Sequence, residues 1–248
     1  MTATQSTAPA QHPQPVHRGS TSRNPVIRFW SSAIGKKWVM GVTGVMLLGF
    51  VLAHMVGNLK IYLGENPLNH YAEWLRTLGE PALPRTVLLW IMRVGLIGAF
   101  ALHIISAAQL TRMNHRARPV QYQSKRDYIA ANFASRTMRW TGIIVGFYLI
   151  FHLMDLTWGN ANPDFVRGDT YQNVIHSFQR VPVAIAYIVA NIALAVHIYH
   201  GAWSMFQSLG INNPKWNTAR RRFALGFALL IGIANVSFPL MVVTKVVS

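Results

Sequence analysis

The apolar positions gather into five long runs, at residues 38–59, 86–111, 138–158, 181–207 and 223–244, separated by polar or charged stretches. Each run approaches the ~20 residues that a helix needs to cross the hydrocarbon core of a bilayer. Within lipid only helices and closed barrels satisfy the backbone, and the runs lack the alternation of barrel strands, so the pattern predicts five membrane-spanning helices. Between the first two runs Leu68, Tyr71, Trp74, Leu75 and Leu78 recur at helical spacing among polar residues, between Pro67 and Pro81. That segment reads as a short amphipathic helix lying on the membrane interface. Residues 1–27, rich in Thr, Ser, Gln, Pro and Ala, read as a disordered tail without a removable signal peptide. Residues 28–248 then form one all-α membrane domain.

Only 12% of the 248 residues are charged, against roughly 25% in an average soluble domain, which agrees with the membrane reading. The net charge of +16 does not point to nucleic acid, because the basic residues sit in blocks between the apolar runs. Their distribution reports topology. The segment ahead of the first run and the second and fourth connections together carry 16 lysines and arginines, including Lys36, Lys37, Arg112, Arg139 and Arg220. The first and third connections and the C-terminal end carry 6: Lys60, Arg76, Arg85, Arg167, Arg180 and Lys245. By the positive-inside rule the N-terminus is cytoplasmic and the C-terminus lies outside.

There is no cysteine, which excludes disulfides, thiolate zinc sites and any iron–sulfur cluster held by this chain's own thiolates. Ten histidines are the main metal-binding resource, and four of them, His54, His103, His152 and His197, lie inside four consecutive runs at separations of 49, 49 and 45 residues. One intramembrane histidine is readily a hydrogen-bonded packing residue; four on successive helices ask for a common function. At ~1.5 Å per residue, His54 lies ~26 Å beyond Lys37 and His152 ~20 Å beyond Arg139, whereas His103 lies ~14 Å short of Arg112. His197 lies at most ~20 Å from the inner end of its run. In an up-and-down bundle of the first four runs, His54 and His152 form an outer layer and His103 and His197 an inner one. Diagonal helices of a square bundle are about 12–14 Å apart, a gap that two imidazoles with ~2 Å metal bonds can bridge through one iron. Gly41, Gly44, Gly49, Gly95, Gly98, Gly142 and Gly146 would leave flat space for a porphyrin, although small-residue helix packing explains any one of them equally well. Two imidazoles on one haem iron leave no open coordination position, which restricts the chemistry to electron transfer.

Three segments carry a family resemblance. Gly44-Val-Met-Leu-Leu-Gly-Phe-Val-Leu-Ala-His54, Phe151-His152-Leu-Met-Asp155 and His197-Ile-Tyr-His200-Gly201-Ala-Trp203-Ser204 resemble the first, third and fourth helices of the di-haem cytochrome b membrane anchor of succinate:quinone oxidoreductases, the succinate dehydrogenase and fumarate reductase family. The likeness covers about residues 30–245. It implies two b-type haems, an inner one on His103 and His197 and an outer one on His54 and His152. It also implies a flavoprotein subunit and an iron–sulfur subunit docked on the cytoplasmic face of a bacterial plasma membrane, electrons delivered to a quinone, expected to be menaquinone, and room for a further small membrane subunit. Succinate chemistry would belong to the partners and quinone reduction to this subunit. His200 departs from the pattern by standing where the family has asparagine, so His197 and His200 both remain candidate ligands, with His197 in the motif's ligand position.

Secondary candidates flank the layers. Gly44 and Gly142 are expected to make room for cofactor. Asp155, one turn after His152, either exchanges protons with quinone or sits as an interfacial carboxylate in water. Arg93, seven residues into the second run, is expected to pair with a haem propionate. Lys60, His70, Tyr71, Glu73 and Trp74 either shape a quinone cavity or form an interfacial belt. Two rivals stand beside the haem reading: a haem-free quinone-binding anchor, its histidines completing a Rieske-type cluster with a partner's cysteines, and a transporter with a histidine proton relay.

Overall fold

The computed structural model describes residues 24–117, 129–211 and 213–247, the side chains of 129–136 excepted. The tail expected to be disordered falls outside them up to residue 23, as does much of the basic second connection. Eight α-helices make up the described chain: α1 Pro25–Ser31, α2 Ala33–Asn58, α3 Glu65–Thr77, α4 Val87–Arg116, α5 Ile129–Leu156, α6 Thr170–Gln179, α7 Val181–Ser208 and α8 Asn217–Val243. Five stretches are long and apolar enough to span a membrane, Ala33–Leu63, Val87–Arg116, Thr137–Leu156, Val181–Ser208 and Pro214–Val243, one in each predicted run. The chain is thus an all-helical, five-span, multi-pass membrane protein.

Polar side chains fix where helices begin. Asn24 Oδ1 accepts from the Val26 amide at the start of α1, Ser32 Oγ from Gly35 at the start of α2, and Asp169 Oδ1 from Gln172 at the start of α6. Two spans begin a turn or more earlier than the apolar run does. In α2 the ammonium of Lys36 donates to the Trp30 carbonyl, which lets a lysine sit buried in the helix. At α8, Arg220 donates to the carbonyls of Ile211 and Asn213 and to the Asn217 side chain, tying the preceding loop onto the first turns. Both basic residues satisfy carbonyls that lipid could not.

α2 packs on α4 and on α7, α7 packs on α5, and among the described residues α4 and α5 hardly touch. These four helices therefore form a square with one open side, with α2 diagonal to α5 and α4 diagonal to α7. α8 covers α7 and α2 through Met55, Ile198, Ala228 and Ile231. At Gly232 an added Cβ would stand 2.8 Å from the Ala195 Cβ, so α7 and α8 approach closely because that residue is glycine. Large apolar side chains such as Phe147 (72% exposed) and Ile233 (68%) point away from the bundle, as they must where lipid is the solvent.

The end of the bundle that holds the start of α4 is closed by α3 and α6. Leu68, Tyr171, Ile175 and Phe178 pack there with Tyr187 and Phe238. Asn69 joins the two short helices, donating to Asp169 Oδ1 at 3.0 Å and accepting from the Tyr171 amide at 2.9 Å. The amphipathic α3 is legible in the sequence, whereas α6 lies in the third connection, outside every apolar run.

Candidate metal centre

His54 on α2 and His152 on α5 meet across one diagonal of the square, with ring centroids 5.9 Å apart and planes at 87°. Two imidazoles bound on opposite sides of one iron, with ~2 Å metal–nitrogen bonds, have centroids about 6 Å apart, so this pair fits bis-histidine ligation. Phe50, one turn earlier on α2, stacks on His54 at 5.3 Å. His152 Nδ1 donates to the Tyr187 hydroxyl at 3.4 Å, and that hydroxyl donates to Asp155 Oδ2 at 2.9 Å. With Nδ1 carrying the proton, Nε2 of His152 keeps its lone pair free for a metal.

The other diagonal carries His103 on α4 and His197 on α7, each seated against the neighbouring helix. His103 Nδ1 donates to the Met40 carbonyl at 3.2 Å and lies 3.3 Å from Thr43 Oγ1. His197 Nδ1 lies 3.3 Å from Thr141 Oγ1, whose own hydroxyl donates to the Thr137 carbonyl. Both rings therefore also leave Nε2 available. A Cβ added at Gly44 would come 3.6 Å from His103 Cε1, and one at Gly142 3.4 Å from His197 Cε1. These two glycines thus seat the imidazoles themselves. His200 is buried beside Tyr199, and the contacts with Thr141 and Gly142 are made by His197.

The remaining expected residues are placed as follows. Asp155 is fully buried, not at a wet interface; it accepts from Ser177 Oγ and Tyr187 and pairs with Arg180. Arg93 is exposed, its guanidinium 5.1 Å from the Trp90 ring centroid. Lys60 lies over the Tyr71 ring at 5.6 Å, Tyr71 stacks with Trp74, and Glu73 pairs with Arg76 and Arg85. Sequence reasoning passed over Thr43, Thr141 and Tyr187, which lie in apolar runs and differ from packing residues only by a hydroxyl.

The fold and these histidines define a helical membrane protein with two intramembrane histidine pairs. Residues 114–234, just under half of the chain, match the family model of the succinate dehydrogenase/fumarate reductase transmembrane subunit. The matched stretch runs from the end of α4 into α8 and includes His152 and His197. Comparison with curated proteins gives no match, and neither does comparison with solved structures.

Proposed function

We propose that this chain is the membrane-anchor and electron-transfer subunit of a succinate:quinone oxidoreductase in a bacterial plasma membrane, with its N-terminus in the cytoplasm. His54 and His152 would hold an outer b-type haem, and His103 and His197 an inner one. When bound, such haems would supply one-electron transfer between an iron–sulfur subunit and menaquinone. The observation that carries this reading is the paired diagonal geometry, in which three of the four imidazoles direct Nδ1–H at a fixed acceptor and keep Nε2 open.

The chain's own contribution is to orient the rings, to exclude water with α3 and α6, and to hold a buried polar group near the outer pair. Asp155, paired with Arg180 and accepting from Tyr187, would be the carboxylate that exchanges a proton with quinone at the outer end. Succinate itself would be oxidised by the flavoprotein partner.

A reduced-minus-oxidised spectrum and a pyridine haemochrome assay of the purified complex test this. Two b haems are expected in the wild type and one in each of His54→Ala and His103→Ala. A wild-type complex without b-type bands would overturn the proposal in favour of the haem-free anchor.

A further inference from the structure

The two inner histidines rest on seats built from the same residues. On α2 the chain reads Met40-Gly-Val-Thr43-Gly44, followed ten residues later by His54; on α5 it reads Met138-Arg-Trp-Thr141-Gly142, followed ten residues later by His152. Each segment receives the histidine of the next span but not its own. In each, the threonine hydroxyl donates back along its helix, Thr43 to the Val39 carbonyl and Thr141 to the Thr137 carbonyl, both at 2.7 Å. A threonine whose proton is committed in this way presents only an oxygen lone pair to its surroundings. That lone pair lies 3.3 Å from Nδ1 of His103 in one half and of His197 in the other. On α2 the Met40 carbonyl also accepts from the His103 N–H, and in both segments the glycine that follows leaves room for the Cε1 edge. Thr43 and Thr141 are both buried. A single such contact is ordinary packing, but the same threonine acceptor and the same glycine recur 98 residues apart in the same register.

Resting on the haem reading above, we infer that Thr43 and Thr141 are positioning residues for the inner histidine pair. Each fixes its imidazole with the proton on Nδ1 and, as an acceptor on that N–H, makes Nε2 a stronger donor to iron. The outer pair has no such seat: His152 uses the Tyr187 hydroxyl and His54 stacks on Phe50. The two threonines lie on different helices, far apart in the sequence, yet they act on one centre.

The test uses the complex with Thr43→Val, Thr141→Val and the corresponding Thr→Ser changes, read by redox potentiometry and by the low-spin haem signals in electron paramagnetic resonance. Each valine variant should keep two haems and shift the midpoint of one of them upward by up to about 59 mV, a tenfold change in its oxidised-to-reduced ratio. The shifted haem should be the same in both, namely the one missing from His103→Ala, and serine should restore it. Should a valine variant fail to assemble, Gly142→Ala, which keeps the hydroxyl but crowds His197 Cε1, should perturb the same haem. Unchanged potentials, a shift of the haem missing from His54→Ala, or a different haem affected by each threonine would overturn the inference. A complex without haem would instead refute the functional proposal, which separates the two failures.

Discussion

Asp155 and Arg180 form an ion pair whose two members differ in exposure, and the difference predicts an ordering of mutants. The Asp155 side chain is wholly buried, while that of Arg180 keeps 28% of its surface exposed and also donates to the Ala161 carbonyl at 2.7 Å. Replacing Arg180 with methionine leaves a buried carboxylate with two hydroxyl donors, Ser177 and Tyr187, and no counter-charge. Removing one partner of a buried pair costs about 3–5 kcal/mol, and this case should lie in that range. Asp155→Asn leaves the charge on the residue that reaches water, so its cost should be smaller, about 1–3 kcal/mol. The double change Asp155→Leu with Arg180→Met removes both charges and should cost less than Arg180→Met alone, because two apolar side chains leave no charge stranded. Unfolding by detergent titration in mixed micelles, with the complex otherwise intact, gives the three free energies. Equal effects for the two single variants, or a double variant worse than Arg180→Met, would show that the pair is not the buried, asymmetric bridge described.

Further expectations follow from other contacts. Tyr187→Phe removes the link between His152 and Asp155 while keeping the packing with Phe178, so haem content should stay at two and only the spectrum of the haem missing from His54→Ala should change. Gly232→Ala sets a methyl group 2.8 Å from the Ala195 Cβ and should cost about 1–3 kcal/mol in the same titration, with Ala195→Gly restoring part of it. Asn69→Ala breaks its two bonds to the start of α6 and should loosen the cap by about 1–2 kcal/mol, read as faster proteolysis within residues 59–86. Reporter fusions should place the N-terminus in the cytoplasm and the C-terminus outside; the reverse would remove the charge-based orientation.

The helices were legible because lipid imposes a length and an apolar content that few other contexts require. Their starts were less so, since Lys36 and Arg220 look like loop residues until the Trp30, Ile211 and Asn213 carbonyls that receive them are known. α6 was hidden for a related reason. Its sequence Thr-Tyr-Gln-Asn-Val-Ile-His-Ser-Phe-Gln has no extended apolar stretch, and it is held by Asp169 at its cap and by Tyr171, Ile175 and Phe178 packing beneath it. Depth along a helix follows from residue counting, which placed the four histidines in layers. Direction around the axis and the choice of ring nitrogen do not, because they depend on residues 35 to 63 positions away, Tyr187 for His152 and Met40 for His103.

That dependence bears on why imidazoles can be kept in hydrocarbon at all. A neutral histidine has one N–H to satisfy and one lone pair, and lipid can serve neither. In this bundle carbonyl and hydroxyl oxygens of neighbouring helices take the N–H of His103, His152 and His197. The lone pairs are then the remaining unmet demand, which a metal bound as proposed above would meet. The open side between α4 and α5 belongs to the same logic, since a square closed on all four edges would leave a flat macrocycle no way to lie between the diagonals. Packing that favours neither closure nor isolated histidines is intelligible if the bundle reaches its stable form only with its cofactors, and its resistance to detergent should therefore rise with haem content, measured on preparations grown with and without haem supply. A chain equally stable in both states would show that the four helices, as packed here, are sufficient without them.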